Sequence, residues 1–96
     1  MPVYVIADGR ASDPSQLDEY RRRNATLVPE HGGRFLVRGG AHEVLEGEWN
    51  PNRLVVMEFP DREAARRWYD SPEYVALRAQ RQAVAETDMI LVEGAG

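Results

Sequence analysis

The chain has 96 residues, of which 43% are hydrophobic and 29% charged, with a formal net charge of −4 and no cysteine. A chain of this length builds one hydrophobic core, so we expect a single domain over residues 1–96. The missing cysteines exclude disulfides and thiolate metal sites, and the acidic balance, with arginines scattered among carboxylates, argues against a nucleic-acid partner.

The N-terminal residues MPVYVIADGR carry no basic segment followed by a long apolar run. No stretch reaches the ~20 apolar residues that a helix needs to span a bilayer. We therefore expect a cytoplasmic protein with no membrane partner.

The first predicted element is a strand over residues 3–8, VYVIAD, which is β-branched and aromatic with almost no polar interruption. A helix follows, with Asp13 as its N-cap and Pro14 at its first position. Apolar and neutral polar residues at helical spacing form its inward stripe. These are Leu17, Tyr20, Asn24, Leu27 and Val28.

Pro29 sets the end of this helix, because it has no N–H to donate to the carbonyl of Ala25. We expect a kink or a stop at this residue. Gly32 and Gly33 then supply the positive φ that a helix C-terminus commonly needs.

Residues 34–38 alternate as a strand does, which places Phe35 and Val37 on one face and Arg34, Leu36 and Arg38 on the other. The pair Gly39-Gly40 has two interpretations. It is either a two-residue hairpin turn or a bulge within one long strand that continues through residues 42–46.

A turn at residues 49–52 precedes a third strand over residues 53–59, RLVVMEF. Asp61 then begins a helix that carries Ala65, Trp68 and Tyr69 inward. Ser71 and Pro72 restart a helix that extends to about residue 86 and has an inward stripe of its own. That stripe consists of Tyr74, Leu77, Arg78, Arg81 and Val84, and a last strand covers residues 89–93.

This order of elements predicts an α+β fold, the ferredoxin-like split β-α-β arrangement with an antiparallel sheet and helices on one face. Strands 3–8, 53–59 and 89–93 are apolar on both faces, whereas a solvated face alternates with polar residues. A second copy packed sheet against sheet buries the free face. We therefore predict a homodimer.

The stretch GGRFLVRGG, residues 32–40, lacks the pattern of a phosphate-binding loop, because a strand and not a helix follows its glycines. Arg38 is the residue of interest within it. If it faces the helices, its guanidinium is a buried cation that needs a carboxylate such as Glu58, or an acidic ligand. A structural ion pair or a solvent-reaching side chain is the alternative.

Polar side chains on the first helix form a second candidate group. Tyr20, Asn24 and His31 can line one wall of a pocket, with His31 as the candidate catalytic proton carrier, since the unperturbed histidine pKa of ~6.5 lies near neutrality. Stabilisation of the helix C-terminus is the alternative role of His31. The two histidines and the carboxylates form no metal motif, so we predict no metal and no cofactor.

The segment WYDSPEY, residues 68–74, concentrates aromatic side chains around a helix break, and Arg78 follows one turn after Tyr74. Aromatic walls with one arginine suit a planar acidic or carbonyl-bearing ligand. We therefore add Trp68, Tyr74 and Arg78 to the candidate ligand-binding residues; the alternative is that they fill the core or a dimer contact.

Three segments, HGGRFLVRGG, VLEGEWNPNRLVVMEFP and AARRWYDSPEYVALRAQR, give the chain a resemblance to the DUF1330 family over nearly its whole length. The resemblance implies a dimeric α+β barrel. Better-known members of that superfamily are cofactor-independent monooxygenases and lactone isomerases, which bind small ring compounds between helices and sheet. This sequence lacks the paired histidines and metal ligands that some of those relatives use.

Two functional hypotheses follow. The first is a homodimer that binds an unknown small molecule and is a cofactor-independent enzyme for an acidic or carbonyl-bearing compound. The second is a non-catalytic interaction or scaffold module. A fold alone does not decide between them, so convergence of the candidate residues on an open cavity is the discriminating observation.

Overall fold

The computed structural model describes residues 1–96. In chain order the elements are β1 (Val3–Ala11), a 3-10 turn (Pro14–Leu17), α1 (Asp18–Glu30), β2 (Arg34–Arg38), β3 (Leu54–Phe59), α2 (Arg62–Asp70), α3 (Pro72–Val84) and β4 (Ala85–Glu93). The strands form one sheet in the order β2-β3-β1-β4, with every neighbouring pair antiparallel. The predicted ferredoxin-like α+β arrangement is confirmed.

The helix starts follow from side chains that accept backbone hydrogen bonds. Asp61 accepts from the N–H of Ala64 at 2.8 Å, and Ser71 accepts from the N–H of Tyr74 at 3.2 Å. Asp13 caps the 3-10 turn that leads into α1. These contacts satisfy N–H groups that have no partner within the first turn, so the predicted N-caps Asp61 and Ser71 are confirmed. Asp13 caps the 3-10 turn and not α1, which begins at Asp18.

Helix α1 ends one residue after Pro29, in agreement with the predicted stop. Gly32 has a φ of 81°, and the N–H of Gly33 donates to the carbonyl of Val28 at 3.0 Å. A Cβ on Gly33 would lie 2.6 Å from Phe59 Cε1 and 2.8 Å from Val28 Cγ1. Glycine at this position therefore lets the chain turn closely over the core.

Strand β2 contains a bulge that the predicted alternation misses. Phe35 pairs with Met57, but Val37 pairs with the next residue, Val56, so one extra residue is inserted between them. As a result Phe35 and Arg38 lie on the same face of the sheet, and Val37 lies on the other. The expected grouping of Phe35 with Val37 is wrong for this reason.

Residues 40–53 form an extended loop, so neither interpretation of Gly39-Gly40 matches the structure. Gly39 adopts a φ of 71° and donates to the carbonyl of Leu54 at 2.8 Å, which closes the pairing of β2 with β3. The far end of the loop is held by Asp8, which is only 5% exposed. Its Oδ1 accepts from the backbone N–H of Asn52 at 2.9 Å and of Arg53 at 3.3 Å.

The helices cover one face of the sheet. On that face the buried side chains of β1 and β3 pack against α1, α2 and α3 in one core. Its largest fully buried members are Trp68, Tyr74, Phe59, Met57, Leu77 and Val28. No helix combines the length and hydropathy needed to cross a membrane.

The opposite face of the sheet has no covering layer, and we call it the open face. Its centre is apolar and includes Tyr4, Ile6, Val56, Ile90 and Val92, which form adjacent cross-strand pairs. Ile90 is 59% exposed and Val92 41% exposed. The molecule accordingly measures 32 × 32 × 16 Å, the thickness of one sheet and one helical layer.

Candidate functional site

A cavity of about 480 Å³ lies between the helix-covered face of the sheet and helices α1 and α3. Its apolar surface comes mainly from strands and includes Ala7, Leu17, Phe35, Val55, Met57 and Met89. None of its 19 lining residues is Asp or Glu, although the chain as a whole is acidic. A largely apolar cavity with a few polar groups is the usual form of a small-molecule site.

Three arginines lie at the exposed end of this cavity, and we call them the arginine cluster. Arg21 comes from α1, Arg38 from the end of β2, and Arg53 from the residue before β3. None of them forms an ion pair; the ion pairs of the chain use Arg10, Arg23, Arg34, Arg62 and Arg66 instead. The cluster is therefore a concentration of positive charge without an internal counterion.

The arginines of the cluster are held close together. The Arg53 guanidinium donates to the carbonyl of Arg38 at 3.5 Å, and the Arg38 guanidinium lies 3.9 Å from the centre of the Phe35 ring. Burial, with the like charges of Arg21 and Arg38, lowers the pKa of Arg53 below its ordinary value. An anion bound here relieves that repulsion, because opposite charges favour the ionised form.

A fourth arginine, Arg81 of α3, lies at the interior end of the cavity and is only 7% exposed. Its Nη1 donates to the hydroxyl of Tyr74 at 2.7 Å and to that of Tyr20 at 3.3 Å. It has no carboxylate partner, and its buried Nε–H makes no hydrogen bond. A buried cation with an unsatisfied donor is costly, so this group favours binding of an acceptor.

Asn24 adds a further donor at the interior end. Its side chain is 4% exposed, and its Oδ1 accepts from Trp68 Nε1 at 2.9 Å. Because an indole N–H can only donate, this contact fixes the amide oxygen toward Trp68. The amide nitrogen is then the polar group that Asn24 offers to the cavity.

Three of the predicted site residues, Tyr20, Asn24 and Arg38, line the cavity. Tyr74 is fully buried beside it, and only its hydroxyl reaches the interior group through Arg81 and Tyr20. The predicted partner of Arg38 is engaged elsewhere. Glu58 lies on the open face and accepts from Arg34 at 2.8 Å, a hydrogen bond that lowers the pKa of Glu58.

The other three predicted residues lie outside the cavity. The ring of His31 hydrogen-bonds the carbonyl of Leu27 at 3.0 Å at the C-terminus of α1. Trp68 is fully buried in the core. Arg78 stacks 4.3 Å from the centre of the Tyr69 ring and donates to the Tyr69 carbonyl at 3.4 Å.

Sequence reasoning misses three of the four cavity arginines. Arg81 carries a usable signal, since a charged residue on the inward stripe of a helix must meet a partner. The helical spacing places Arg21 on the solvent-facing side of its helix. Arg53 follows a turn, where no sequence pattern indicates which way its side chain points. The bulge in β2 is the feature that turns Arg38 toward the cavity.

The fold and the cavity define the class of protein as ferredoxin-like, with an open apolar sheet face and an arginine-rich cavity under the helices. The chain belongs to the DUF1330 family, a domain of unknown function, whose model matches residues 2–95. No curated protein matches the sequence significantly.

Solved structures support the same fold. A protein of unknown function from Rhodopseudomonas palustris, RPA0582, is similar with a TM-score of 0.78 at 18% identity, covering 99% of this chain and 83% of that one. A dimeric ferredoxin-like protein of unknown function from Jannaschia sp. has a TM-score of 0.74 at 14% identity, with coverage of 98% and 100%. SnoaB, a cofactor-independent oxygenase from Streptomyces nogalater, has a TM-score of 0.67 at 16% identity, with coverage of 99% and 94%.

Proposed function

We propose that the protein is a homodimer that binds a small organic acid with an apolar body in the cavity of each subunit. The observation that carries this proposal is the set of four cavity arginines without a carboxylate partner. Carboxylates match guanidinium donors in charge and geometry, and the apolar floor suits the rest of the ligand. Arg38 and Arg53 are its main ligand-binding residues, and Arg81 adds positive charge at the interior end.

The homodimer is supported by the open face, whose apolar centre is flanked by the ion pairs Arg34–Glu58 and Arg10–Asp88. A sheet with one uncovered apolar face needs a second layer, and a second copy supplies a face of the same shape. The similar Jannaschia protein is dimeric. Because the cavity lies on the other side of the sheet, dimerisation through the open face leaves each cavity accessible.

The protein also catalyses, in this proposal, a cofactor-independent reaction of the bound acid or carbonyl compound. The similarity to SnoaB supports this class at the level of the fold only. The cavity contains neither imidazole nor carboxylate, so we assign no proton-transfer role to His31. Tyr20 is the cavity group that would hold or donate a proton.

A non-catalytic interaction module is the alternative, and one observation favours it. The loop over residues 40–53 exposes Leu45 at 85% and Trp49 at 63%, on a segment without regular structure. Large exposed apolar side chains are common at protein contacts. In that case the loop, and not the cavity, carries the function.

Thermal stabilisation by a panel of small carboxylates tests the proposal, because a ligand that binds the native state raises the melting temperature by mass action. We expect aromatic or branched carboxylates to stabilise the parent protein and the matched amides to have little effect. Arg38→Gln and Arg53→Gln should each lower affinity about tenfold or more, the scale of a lost charge-assisted hydrogen bond.

Arg22→Gln is the matched control, since Arg22 lies on α1 beside Arg21 but is exposed, lies outside the cavity and has no ion pair. It should bind carboxylates like the parent. If no carboxylate stabilises the parent, or if all three variants respond equally, the cavity is not an acid-binding site and the interaction module becomes the better account.

A further inference from the structure

The direction of the hydrogen bonds among Arg81, Tyr74 and Tyr20 can be worked out by counting protons. The hydroxyl of Tyr74 is buried and has two partners, Arg81 Nη1 at 2.7 Å and the hydroxyl of Tyr20 at 2.7 Å. A guanidinium has no acceptor. The hydroxyl of Tyr74 therefore donates its hydrogen bond to the oxygen of Tyr20.

The oxygen of Tyr20 thus accepts from Tyr74 and, at 3.3 Å, from Arg81. Both acceptor positions of this oxygen are then used, and its own hydrogen is free. Burial raises the pKa of Tyr74, which keeps it a neutral phenol and keeps the direction of the chain fixed near neutral pH. Because Tyr20 lines the cavity, its hydrogen is a donor available there.

Two other donors accompany it at the interior end. The Nε–H of Arg81 is buried without a partner, and the amide nitrogen of Asn24 is free because its oxygen binds Trp68. Hydrogen bonds arranged in series strengthen one another at low dielectric. The side-chain groups without a partner near the interior end are therefore all donors.

The two ends of the cavity are separate places in the fold. Arg38 lies on β2, at one edge of the sheet, while Arg81 lies on the helix that leads into β4, at the other edge. Three strand-to-strand spacings of about 4.8 Å separate β2 from β4, which is several times the span of one carboxylate group. A ligand that satisfies both carries two acceptor groups.

We propose that the ligand is a small oxo-acid, whose carboxylate binds the arginine cluster and whose carbonyl oxygen accepts a hydrogen bond from Tyr20 at the interior end. This inference rests on the acid-binding function proposed above. Tyr20 is a ligand-contacting residue, and Tyr74 and Arg81 orient its hydroxyl. The site selects for a carbonyl, or for an oxyanion formed from it, at the position that Tyr20 faces.

The test compares isosteric pairs of acids in which a ketone oxygen is replaced by a methylene group. The pairs are para-acetylbenzoate with para-isopropenylbenzoate, and levulinate with its methylene analogue. Calorimetric titration of the parent protein should give about tenfold tighter binding for the ketone of at least one pair, the scale of one hydrogen bond to a polarised donor.

Tyr20→Phe should remove that preference by weakening the ketone about tenfold and leaving its methylene analogue unchanged. Tyr74→Phe should weaken the ketone by a smaller factor, because it releases the orientation of Tyr20 without deleting the donor. Tyr69→Phe is the matched control, since Tyr69 is half-buried and lies outside this cavity. It should retain the parental preference.

The outcomes separate this inference from the proposed function. If both members of each pair bind the parent equally, the carbonyl selection is wrong while acid binding stands. If no member of either pair binds, both proposals fail. If Tyr20→Phe weakens the two members of a pair equally, Tyr20 has a purely structural role. If that variant does not fold, the ratio of ketone to methylene affinity measured with the parent protein still decides whether the site selects a carbonyl.

Discussion

Asp8 shows how one residue on one face of the sheet organises a site on the other. It is the single carboxylate in β1, and its Oδ1 accepts the backbone N–H groups of Asn52 and Arg53. Its Oδ2 accepts from Trp49 Nε1 at 3.3 Å and from Arg10 at 3.4 Å. These contacts fix the start of β3, and with it the backbone of Arg53 beside the cavity.

Asp8 should therefore make the free energy of unfolding depend on pH in the acid range. Burial works against its ionised form, but the hydrogen bonds from Asn52, Trp49 and Arg53 outweigh it, so the pKa of Asp8 is lowered from 3.8. A lowered folded-state pKa contributes stability that is present above the unfolded pKa and is lost as pH falls through the folded one. The stability that ionised Asp8 contributes is therefore lost at pH values below about 4.

Asp8→Asn tests this account, because asparagine keeps one acceptor but turns an N–H₂ toward the donors of Trp49 and Arg10. We expect a loss of about 1–3 kcal/mol at neutral pH and a shallower decline on acidification. Urea denaturation at several pH values measures both. Equal pH dependence of parent and variant would mean that Asp8 does not titrate with folding.

At the scale of elements, the close turn between α1 and β2 depends on Gly33. A Cβ at this position would lie 2.6 Å from Phe59 Cε1, inside the core. Gly33→Ala should cost about 1–3 kcal/mol through overpacking. Gly40→Ala is the control, since nothing lies within 4 Å of its added Cβ and its φ is not positive; it should be neutral or slightly stabilising. Thermal unfolding of both variants decides, and equal effects would refute the packing argument.

The elements are predicted well by the sequence wherever local chemistry decides them. Asp61, Ser71 and Pro72 are residues preferred at helix starts, and Pro29 ends a helix, so these boundaries agree with the structure. Two strands are longer than predicted, since β1 continues past Gly9 to Ala11 and β4 begins at Ala85. The two strands pair with each other over these added residues, a tertiary contact that propensity does not contain.

The site is predicted only in part, because its residues depend on register and not on local pattern. Tyr20 and Asn24 follow from the helical spacing of α1. Arg38 reaches the cavity through a bulge that shifts the faces of β2, and Arg53 reaches it through the anchored end of a loop. Neither feature has a signature in the sequence, whereas Arg81 does, as an arginine on an inward stripe.

At the scale of the whole molecule, the open face of the sheet predicts that the protein is a homodimer. Permanent interfaces commonly bury on the order of 2,000 Å² or more in total, which a sheet face of this kind can supply. Ile90→Asp places a charge at the centre of that face without disturbing the core, since Ile90 is 59% exposed in the single chain. Sedimentation should show a dimer for the parent and a monomer for this variant.

Val75→Asp is the control for that experiment, because Val75 is 42% exposed on α3, in the helical layer. It should remain dimeric. A parent protein that sediments as a monomer at micromolar concentration, or a dimer that Val75→Asp and not Ile90→Asp disrupts, would place the interface elsewhere.

The central claim is that the unpaired arginines of the cavity bind an organic acid, and arginine side-chain NMR observes those groups directly. The Nε–H resonances of Arg38 and Arg53 should shift saturably when millimolar benzoate is added, and that of Arg22 should not. The buried, unpartnered Nε–H of Arg81 should move most in response to para-acetylbenzoate. Absence of saturable shifts at the cavity arginines, or equal shifts at Arg22, would contradict the account.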